Sequence, residues 1–144
     1  MFERLLPDAK IYGIDILPRP ESLKDSKIET RVIDQNNIQA IEALANEAGD
    51  FDVIIDDGCH FGNETRKCFD TLWKHLRKGG SYVIEDWVVS IKTKEDNVNF
   101  EYMNATQGMD KLVLEIASRK TELGITSIEI IVKENWMSYA VFKK

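Results

Sequence analysis

The sequence is poor in cysteine and in long apolar runs, and each shortage excludes a class of protein. Only two cysteines, Cys59 and Cys68, occur among 144 residues, and neither stands in a CxxC or Cys/His spacing. A disulfide framework and a zinc ribbon are therefore excluded. No apolar run approaches the ~20 residues of a bilayer-spanning helix, and the first residues lack the apolar region of a signal peptide. We expect a protein of the cytoplasm.

Positive charge is also scarce. The chain has 19 lysines and arginines against 25 aspartates and glutamates, which gives a formal charge of -6, and its pI is near 5.0. Because an acidic surface repels polyanions, we expect neither nucleic acid nor a membrane surface as a partner. A hydrophobic content of 43% over this length is sufficient for one core. The sequence therefore predicts a single domain over residues 1–144.

Short apolar runs alternate with amphipathic segments along the chain. The composition and flanking turn residues predict strands at residues 10–16, 28–34, 51–56 and 81–87. Helical spacing predicts helices at residues 37–48, 63–80 and 109–124, the second of them ending in Gly79 and Gly80. The polar segment 92–107 is typical of a loop, and the tail predicts two strands separated by residues 133–135. This order indicates an α/β fold, Rossmann-like and doubly wound, with a mostly parallel sheet and a C-terminal antiparallel hairpin.

Carboxylates stand at the ends of the first four predicted strands. They are Asp15, Asp34, the pair Asp56 and Asp57, and the pair Glu85 and Asp86. Aspartate often ends a strand because it favours turns, and for a single position that explanation suffices. Open α/β sheets, however, bind ligands outside the carboxyl ends of their parallel strands. The whole set therefore predicts a ligand site along one edge of the sheet.

The first carboxylates suit a nucleoside. An ionised carboxylate at the position of Asp15 can accept hydrogen bonds from both ribose hydroxyls. Asp34 and Gln35, one strand further, can accept from and donate to the edge of an adenine ring. We also expect Asp56 to bind the cofactor.

The later carboxylates suit a metal ion. Asp57, Glu85 and Asp86 would lie at adjacent strand ends, where mutual repulsion raises their pKa values unless a cation lies between them. Oxygen ligands without a thiolate favour magnesium, manganese or calcium. His60 would stand beside the metal as a proton acceptor. Cys59 is a weaker candidate for a nucleophile, since no oxyanion-hole motif and no third residue of a catalytic triad accompany it.

These motifs resemble a known family. YGIDI, IDQ, FDVIIDDGCH and LRKGGSYVIEDW are similar to the successive strand-end motifs of class I S-adenosylmethionine-dependent methyltransferases. The likeness is to the magnesium-dependent macrolide-sugar O-methyltransferases, a group that shares its sequence type with cephalosporin-hydroxylase-like and rhamnosyl O-methyltransferase proteins. It covers about residues 10–87, and Cys59 stands where the family usually has serine.

The resemblance implies S-adenosylmethionine and Mg²⁺ as cofactors and a hydroxyl of a sugar or similar small molecule as acceptor. By motif match, Asp57, Glu85 and Asp86 would bind the metal and His60 would be the general base. Asp15 would bind the ribose, and Asp34 and Gln35 would lie on the adenine side.

One element of that family is missing. No GxGxxG occurs, and the residues before the first strand resemble the end of the helix that follows the glycine-rich loop. The absent strand is normally central, so its neighbours would expose unpaired backbone, through which copies of the chain could associate. Three explanations stay open: a fragment of a longer enzyme, a strand supplied by another polypeptide, or a sheet that has closed and lost activity.

Three functions therefore follow as hypotheses. The first is a metal-assisted O-methyltransferase, or the C-terminal part of one. The second is a non-catalytic relic of that fold that serves as an interaction or oligomerisation module. The third is a metal-dependent hydrolase or hydroxylase, for which a site of two histidines and a carboxylate would need a second histidine, and His75 is badly placed for that.

Overall fold

The computed structural model describes residues 2–88, 108–133 and 137–144. The loop predicted at residues 92–107 lies outside the described residues. The helices are α1 (Phe2–Leu5), α2 (Ile38–Ala48), α3 (Gly62–Leu72), α4 (Met109–Ser118) and α5 (Lys120–Leu123). The strands are β1 (Tyr12–Asp15), β2 (Glu29–Val32), β3 (Phe51–Asp56), β4 (Leu76–Glu85), β5 (Ser127–Val132) and β6 (Ser138–Lys143). Short 3-10 turns occupy Glu21–Leu23 and Trp73–His75.

The strands form two sheets. One pairs β1 with β2 in parallel, and the other has the order β3-β4-β6-β5. In the second sheet β3 and β4 are parallel, whereas β6 runs antiparallel to both of its neighbours. The predicted α/β alternation and C-terminal hairpin are therefore confirmed, and the four-stranded sheet is mixed.

Among the described residues, β1 and β3 do not pair with each other, which is where the missing central strand of the predicted fold would lie. The rings of Tyr12 and Phe51 meet edge to face across this gap, with centroids 6.3 Å apart. The backbone edges of β1 and β3 that face the gap are therefore without strand partners in the described part of the chain.

The core lies on one face of the four-stranded sheet. Alternate strand residues point into it because successive side chains of a strand face opposite sides, and α3 and α4 cover them. Phe69 of α3 stacks on Trp73 with ring centroids 5.0 Å apart and meets the Tyr82 ring at 4.9 Å. On the opposite face Val53 is 54% exposed and Ile55 41%. The continuous apolar character of β3 predicts cover on both faces, and the described residues supply it on one.

The prediction of one helix over residues 63–80 is wrong at its C-terminal end. Helix α3 ends at Leu72, and β4 begins at Leu76, which is buried and pairs with Phe51. Gly79 has a φ of 84° and lies inside the strand, beside a shift in the β3/β4 register. A Cβ on Gly80 would lie 2.9 Å from a backbone oxygen of β3. The two glycines therefore serve an irregular strand rather than a helix end.

The ends of the other helices follow local signals. The Asn37 side chain accepts a hydrogen bond from the Ala40 backbone N–H at 3.2 Å and caps α2, which ends before Gly49 with a φ of 83°. The helix predicted at residues 109–124 is divided into α4 and α5 and ends before Gly124, which is left-handed. Within the described ranges, no helix has the length and apolar character needed to cross a bilayer.

Candidate metal and cofactor site

The site lies where β3 and β4 end side by side. Asp57 follows the last residue of β3, and Asp86 follows the last residue of β4. Because these strands are parallel neighbours, their carboxyl ends meet at one edge of the sheet. His60 returns to this edge three residues after Asp57. Ligand atoms of Asp57, His60 and Asp86 all lie within 4.8 Å of one another.

Two of these residues have a left-handed backbone. His60 has a φ of 56° and Asp86 a φ of 49°, and among the described residues they are the only non-glycine residues with positive φ. This conformation costs a non-glycine residue ~1 kcal/mol or more and persists where the surroundings impose it. Strained residues of this kind cluster at functional sites. Both therefore mark the edge where the ligand atoms converge.

The backbone around Asp86 is held by β6. The Asp86 N–H donates to the Ser138 carbonyl at 2.7 Å, and the Val88 N–H donates to Ser138 Oγ at 3.1 Å. Ser138 is fully buried. The antiparallel β6 strand thus fixes the turn that presents Asp86.

His60 and Asp57 are partly open to solvent. His60 Nε2 lies 3.7 Å from Asp57 Oδ1, and the side chains are 26% and 60% exposed. A protonated imidazole at this position would form an ion pair with Asp57. The arrangement can therefore accept a proton from a group that enters from solvent and stabilise the charge that results.

Glu85 belongs to the same electrostatic environment but not to the same group of ligand atoms. In the described part of the chain, that group consists of Asp57, His60 and Asp86. Burial raises the pKa of Glu85, and the negative charges of Asp57 and Asp86 raise it further. Such a concentration of negative charge is the environment that a bound cation stabilises.

Asp56 points away from solvent, into the core. Its carboxylate accepts hydrogen bonds from the Tyr82 hydroxyl and from Gln35 Nε2, each at 3.1 Å. Burial raises the pKa of Asp56 to about 6, although these hydrogen bonds act in the opposite direction. The side chain is therefore already bound within the protein, beneath the edge of the sheet. Its predicted contact with a cofactor stays a prediction.

Gln35 joins the two sheets. Its amide donates to Asp56, and its Oε1 accepts from the Cys59 backbone N–H at 2.9 Å. Its own carbonyl accepts from the Cys68 thiol at 3.7 Å. Both polar atoms of the side chain predicted to lie on the adenine side are therefore bound within the protein.

The other two nucleoside candidates end their strands in exposed turns. Asp15 Oδ1 accepts from the Leu17 N–H, and Asp34 Oδ1 accepts from the Asn36 N–H, both at 2.8 Å. An open surface depression lies beside the second of them; it is lined by Asp34, Asn36, Asn37, Ile38 and Gln39. Each carboxylate thus makes the turn contact expected of a strand-end aspartate, and Asp34 also borders a concave surface.

The remaining candidates have no catalytic geometry. Burial raises the pKa of the Cys59 thiol, which is the opposite of the lowered pKa that activates a nucleophile. His75 lies in the 3-10 turn that follows α3 and not on a regular helix, and its Nε2 is buried without a hydrogen-bond partner among the described residues. Trp87 packs against the core, and Trp136 lies outside the described residues.

Two residues that support the site, Tyr82 and Ser138, were not predicted from the sequence. Tyr82 could have been found, because it shares the strand parity of buried Ile84 and therefore faces the core beside Asp56. Ser138 carries no such signal, since its role depends on the pairing of β6 with β4, which is distant in sequence.

Comparison with known proteins identifies relatives of this chain. The chain is 38% identical over 86 residues to mycinamicin VI 2''-O-methyltransferase of Micromonospora griseorubida, a match that covers 60% of this chain and 21% of the relative. It is 40% identical over 86 residues to demethylmacrocin O-methyltransferase of Streptomyces fradiae, covering 60% and 22%. The chain therefore spans about a fifth of the length of the curated relatives it matches.

Solved structures share the fold. MycE methyltransferase from the mycinamycin biosynthetic pathway, in complex with Mg and SAH, superposes with a TM-score of 0.73 at 27% identity, covering 99% of this chain and 38% of that one. A putative caffeoyl-CoA O-methyltransferase from Staphylococcus aureus has a TM-score of 0.65 at 12% identity, covering 99% and 68%, which indicates the fold alone. The sequence profile described as "Methyltransferase domain" matches residues 1–142. The chain belongs to the methyltransferase domain family.

Proposed function

We propose that this chain carries the metal and nucleoside sites of an S-adenosylmethionine-dependent O-methyltransferase that acts on a hydroxyl of a sugar or similar small molecule. The observation that carries the proposal is the convergence of Asp57, His60 and Asp86, whose ligand atoms lie within 4.8 Å of one another. The relatives support it, because their names describe O-methylation of mycinamicin VI, of demethylmacrocin and of a rhamnosyl tetracenomycin C.

The donor set fits a hard divalent cation. Asp57 and Asp86, whose ligand atoms converge, would hold Mg²⁺ through carboxylate oxygens, the ligands that this ion prefers. Glu85, the third predicted ligand, would have to turn its carboxylate toward them to join. Burial raises the pKa of Glu85 most, and the negative charges of Asp57 and Asp86, which a cation would stabilise, raise it further. When bound, such an ion lowers the pKa of a hydroxyl that it coordinates.

His60 is the proposed general base. Its Nε2 would accept the proton of the acceptor hydroxyl, and Asp57 Oδ1, 3.7 Å away, would stabilise the imidazolium that forms. The partial exposure of both side chains leaves room for a small acceptor to approach. Alignment of the hydroxyl with the sulfonium methyl of S-adenosylmethionine would then be the main contribution of the site.

Asp15 and Asp34 are the proposed contacts on the nucleoside side. Asp15 would accept from the ribose hydroxyls, and Asp34 would meet the adenine edge beside the depression that it borders. Gln35 would have to exchange one of its present hydrogen bonds to reach an adenine base. Asp56, which accepts from Gln35 Nε2, would contribute to this side of the site through Gln35.

Calorimetric titration with Mn²⁺ tests the metal assignment. We expect one site in the wild-type chain, and a loss of at least about tenfold in affinity in Asp57→Asn and Asp86→Asn, because each removes a charged oxygen ligand. Asp25→Asn is the matched control, since Asp25 is an exposed carboxylate in the connection between β1 and β2. Addition of S-adenosylhomocysteine together with Mg²⁺ should also raise the thermal midpoint of unfolding of the wild-type chain. Absence of Mn²⁺ binding, or equal losses in Asp25→Asn, would refute the assignment.

A further inference from the structure

We infer that Gln35 is a positioning residue, which holds the segment 57–60 in the conformation that brings Asp57 and His60 to Asp86. The inference rests on the proposed function, since it assigns a means of building that same site. It differs from the prediction that the Gln35 side chain recognises adenine.

The first argument is the pair of hydrogen bonds that the side chain makes. Oε1 accepts from the Cys59 backbone N–H at 2.9 Å, and Nε2 donates to Asp56 Oδ1 at 3.1 Å. One amide thus binds the residue before the segment and a residue inside it. The segment has no regular secondary structure to satisfy the Cys59 N–H, so the glutamine supplies the partner.

The second argument is the fit between Gln35 and Gly58. A Cβ on Gly58 would lie 2.4 Å from Gln35 Oε1 and 2.8 Å from its Nε2. The backbone of Gly58 is not in the left-handed region, so its lack of a side chain serves this close contact rather than a turn. The glutamine amide therefore lies directly against the backbone of the segment.

The third argument is that Gln35 is itself fixed from the core. Its Asp56 partner also accepts from the buried Tyr82 hydroxyl at 3.1 Å, and its backbone carbonyl accepts from the Cys68 thiol of α3. The hydrogen bonds run from the sheet core through Asp56 and Gln35 to Cys59. The left-handed His60 follows directly, with a φ of 56° that needs such support.

Two variants separate the hydrogen bonds from the volume of the side chain. Gln35→Met keeps the length of the side chain and removes both hydrogen bonds. Gln35→Ala removes both hydrogen bonds and also most of the side-chain volume. We expect each to weaken Mn²⁺ binding about tenfold, the order of magnitude seen when supports of metal ligands are removed. Asn46→Ala removes an exposed amide from α2 and is the control. Circular dichroism establishes that each variant is folded at the titration temperature.

Gly58→Ala supplies an independent test through a double-mutant cycle. The added methyl would displace the glutamine amide, so this variant should weaken Mn²⁺ binding to a similar extent. In Gln35→Ala the obstructed atoms are gone, so adding Gly58→Ala should cost little more. Fully additive losses would overturn the inference, because Gly58 would then act without Gln35.

Hydrogen exchange of the Cys59 amide gives a readout that needs no metal. Its protection should fall in both Gln35 variants and persist in Asn46→Ala, and unchanged protection in the Gln35 variants overturns the inference. If the wild-type chain binds no Mn²⁺, the proposed function fails, while the exchange result still decides the positioning role. If Gln35→Met loses affinity for S-adenosylhomocysteine but keeps full Mn²⁺ affinity, Gln35 contacts the nucleoside and the positioning role is refuted.

Discussion

Replacement of Asp56 by asparagine should change how stability depends on pH. The pKa of Asp56 is raised from 3.8 to about 6, chiefly by burial. Between these values the folded chain keeps a proton that the unfolded chain has released. The folded state therefore binds more protons in this window, and its free energy of unfolding must fall as pH rises. Well below the ordinary pKa of 3.8 both states are protonated, and the stabilisation is fully present.

The magnitude follows from the same two values. A difference of about two pH units corresponds to ~3 kcal/mol, the cost of ionising a buried carboxyl that Tyr82 and Gln35 only partly compensate. The asparagine side chain of the variant would carry no charge at any pH and could still accept from Gln35 Nε2. The unfolding free energy of Asp56→Asn minus that of the wild type should therefore rise by ~2.4 kcal/mol between pH 4 and pH 7, which is most of the full difference.

Urea unfolding, followed by tryptophan fluorescence in the presence of EDTA, measures this difference. The chelator matters because a cation beside Asp57 would alter the charge that Asp56 experiences. Asp52→Asn is the matched control, since Asp52 lies on the same strand, is 77% exposed and pairs with Arg77 at 3.0 Å. A constant offset between Asp56→Asn and the wild type across this range would refute the reasoning. So would an equal pH-dependent difference in Asp52→Asn.

Two further predictions concern residues that support the site and the sheet. The free energy of unfolding of Asp86→Gly should exceed that of Asp86→Ala by ~1 kcal/mol, because glycine adopts the left-handed backbone at φ 49° without strain and alanine does not. Equal urea midpoints would contradict this. Lys144→Ala should lower the free energy of unfolding by ~1–2 kcal/mol, because its ammonium donates to the carbonyls of Trp73 at 2.8 Å and Leu76 at 2.9 Å. Lys143→Ala, at an exposed neighbouring position, should change it by much less, and equal losses would show that the tail acts without these contacts.

Features of the fold that depend on neighbouring residues were predictable. Asn37 and Gly49 mark the ends of α2, because a cap and a left-handed stop are properties of a few consecutive residues. The start of β4 at Leu76 was not predictable in this way. It depends on pairing with Phe51, which is 25 residues earlier, and the helical pattern before it continues without a break. Pairing distant in sequence therefore overrode the local signal.

The same division applies to the site. The convergence of Asp57 with Asp86 follows from parallel strands that end together, so the sequence could predict it once the strands were recognised. The inward direction of Asp56 was also accessible, since it shares the parity of buried Ile54. The role of Gln35 was not, because it joins two sheets whose relative position no local pattern encodes.

The proposed site has two parts, a metal side and a nucleoside side, which the hydrogen bonds of Gln35 join. The metal side is built from β3, β4 and β6, which pair within one sheet and share the core. The nucleoside side follows β1 and β2, which pair only with each other in the described part of the chain. Gln35 links them, because it follows β2 in sequence and binds Asp56 of β3. Since the edges of β1 and β3 lack strand partners among the described residues, whatever shifts the smaller sheet should disturb the nucleoside side directly and reach the metal ligands through this glutamine.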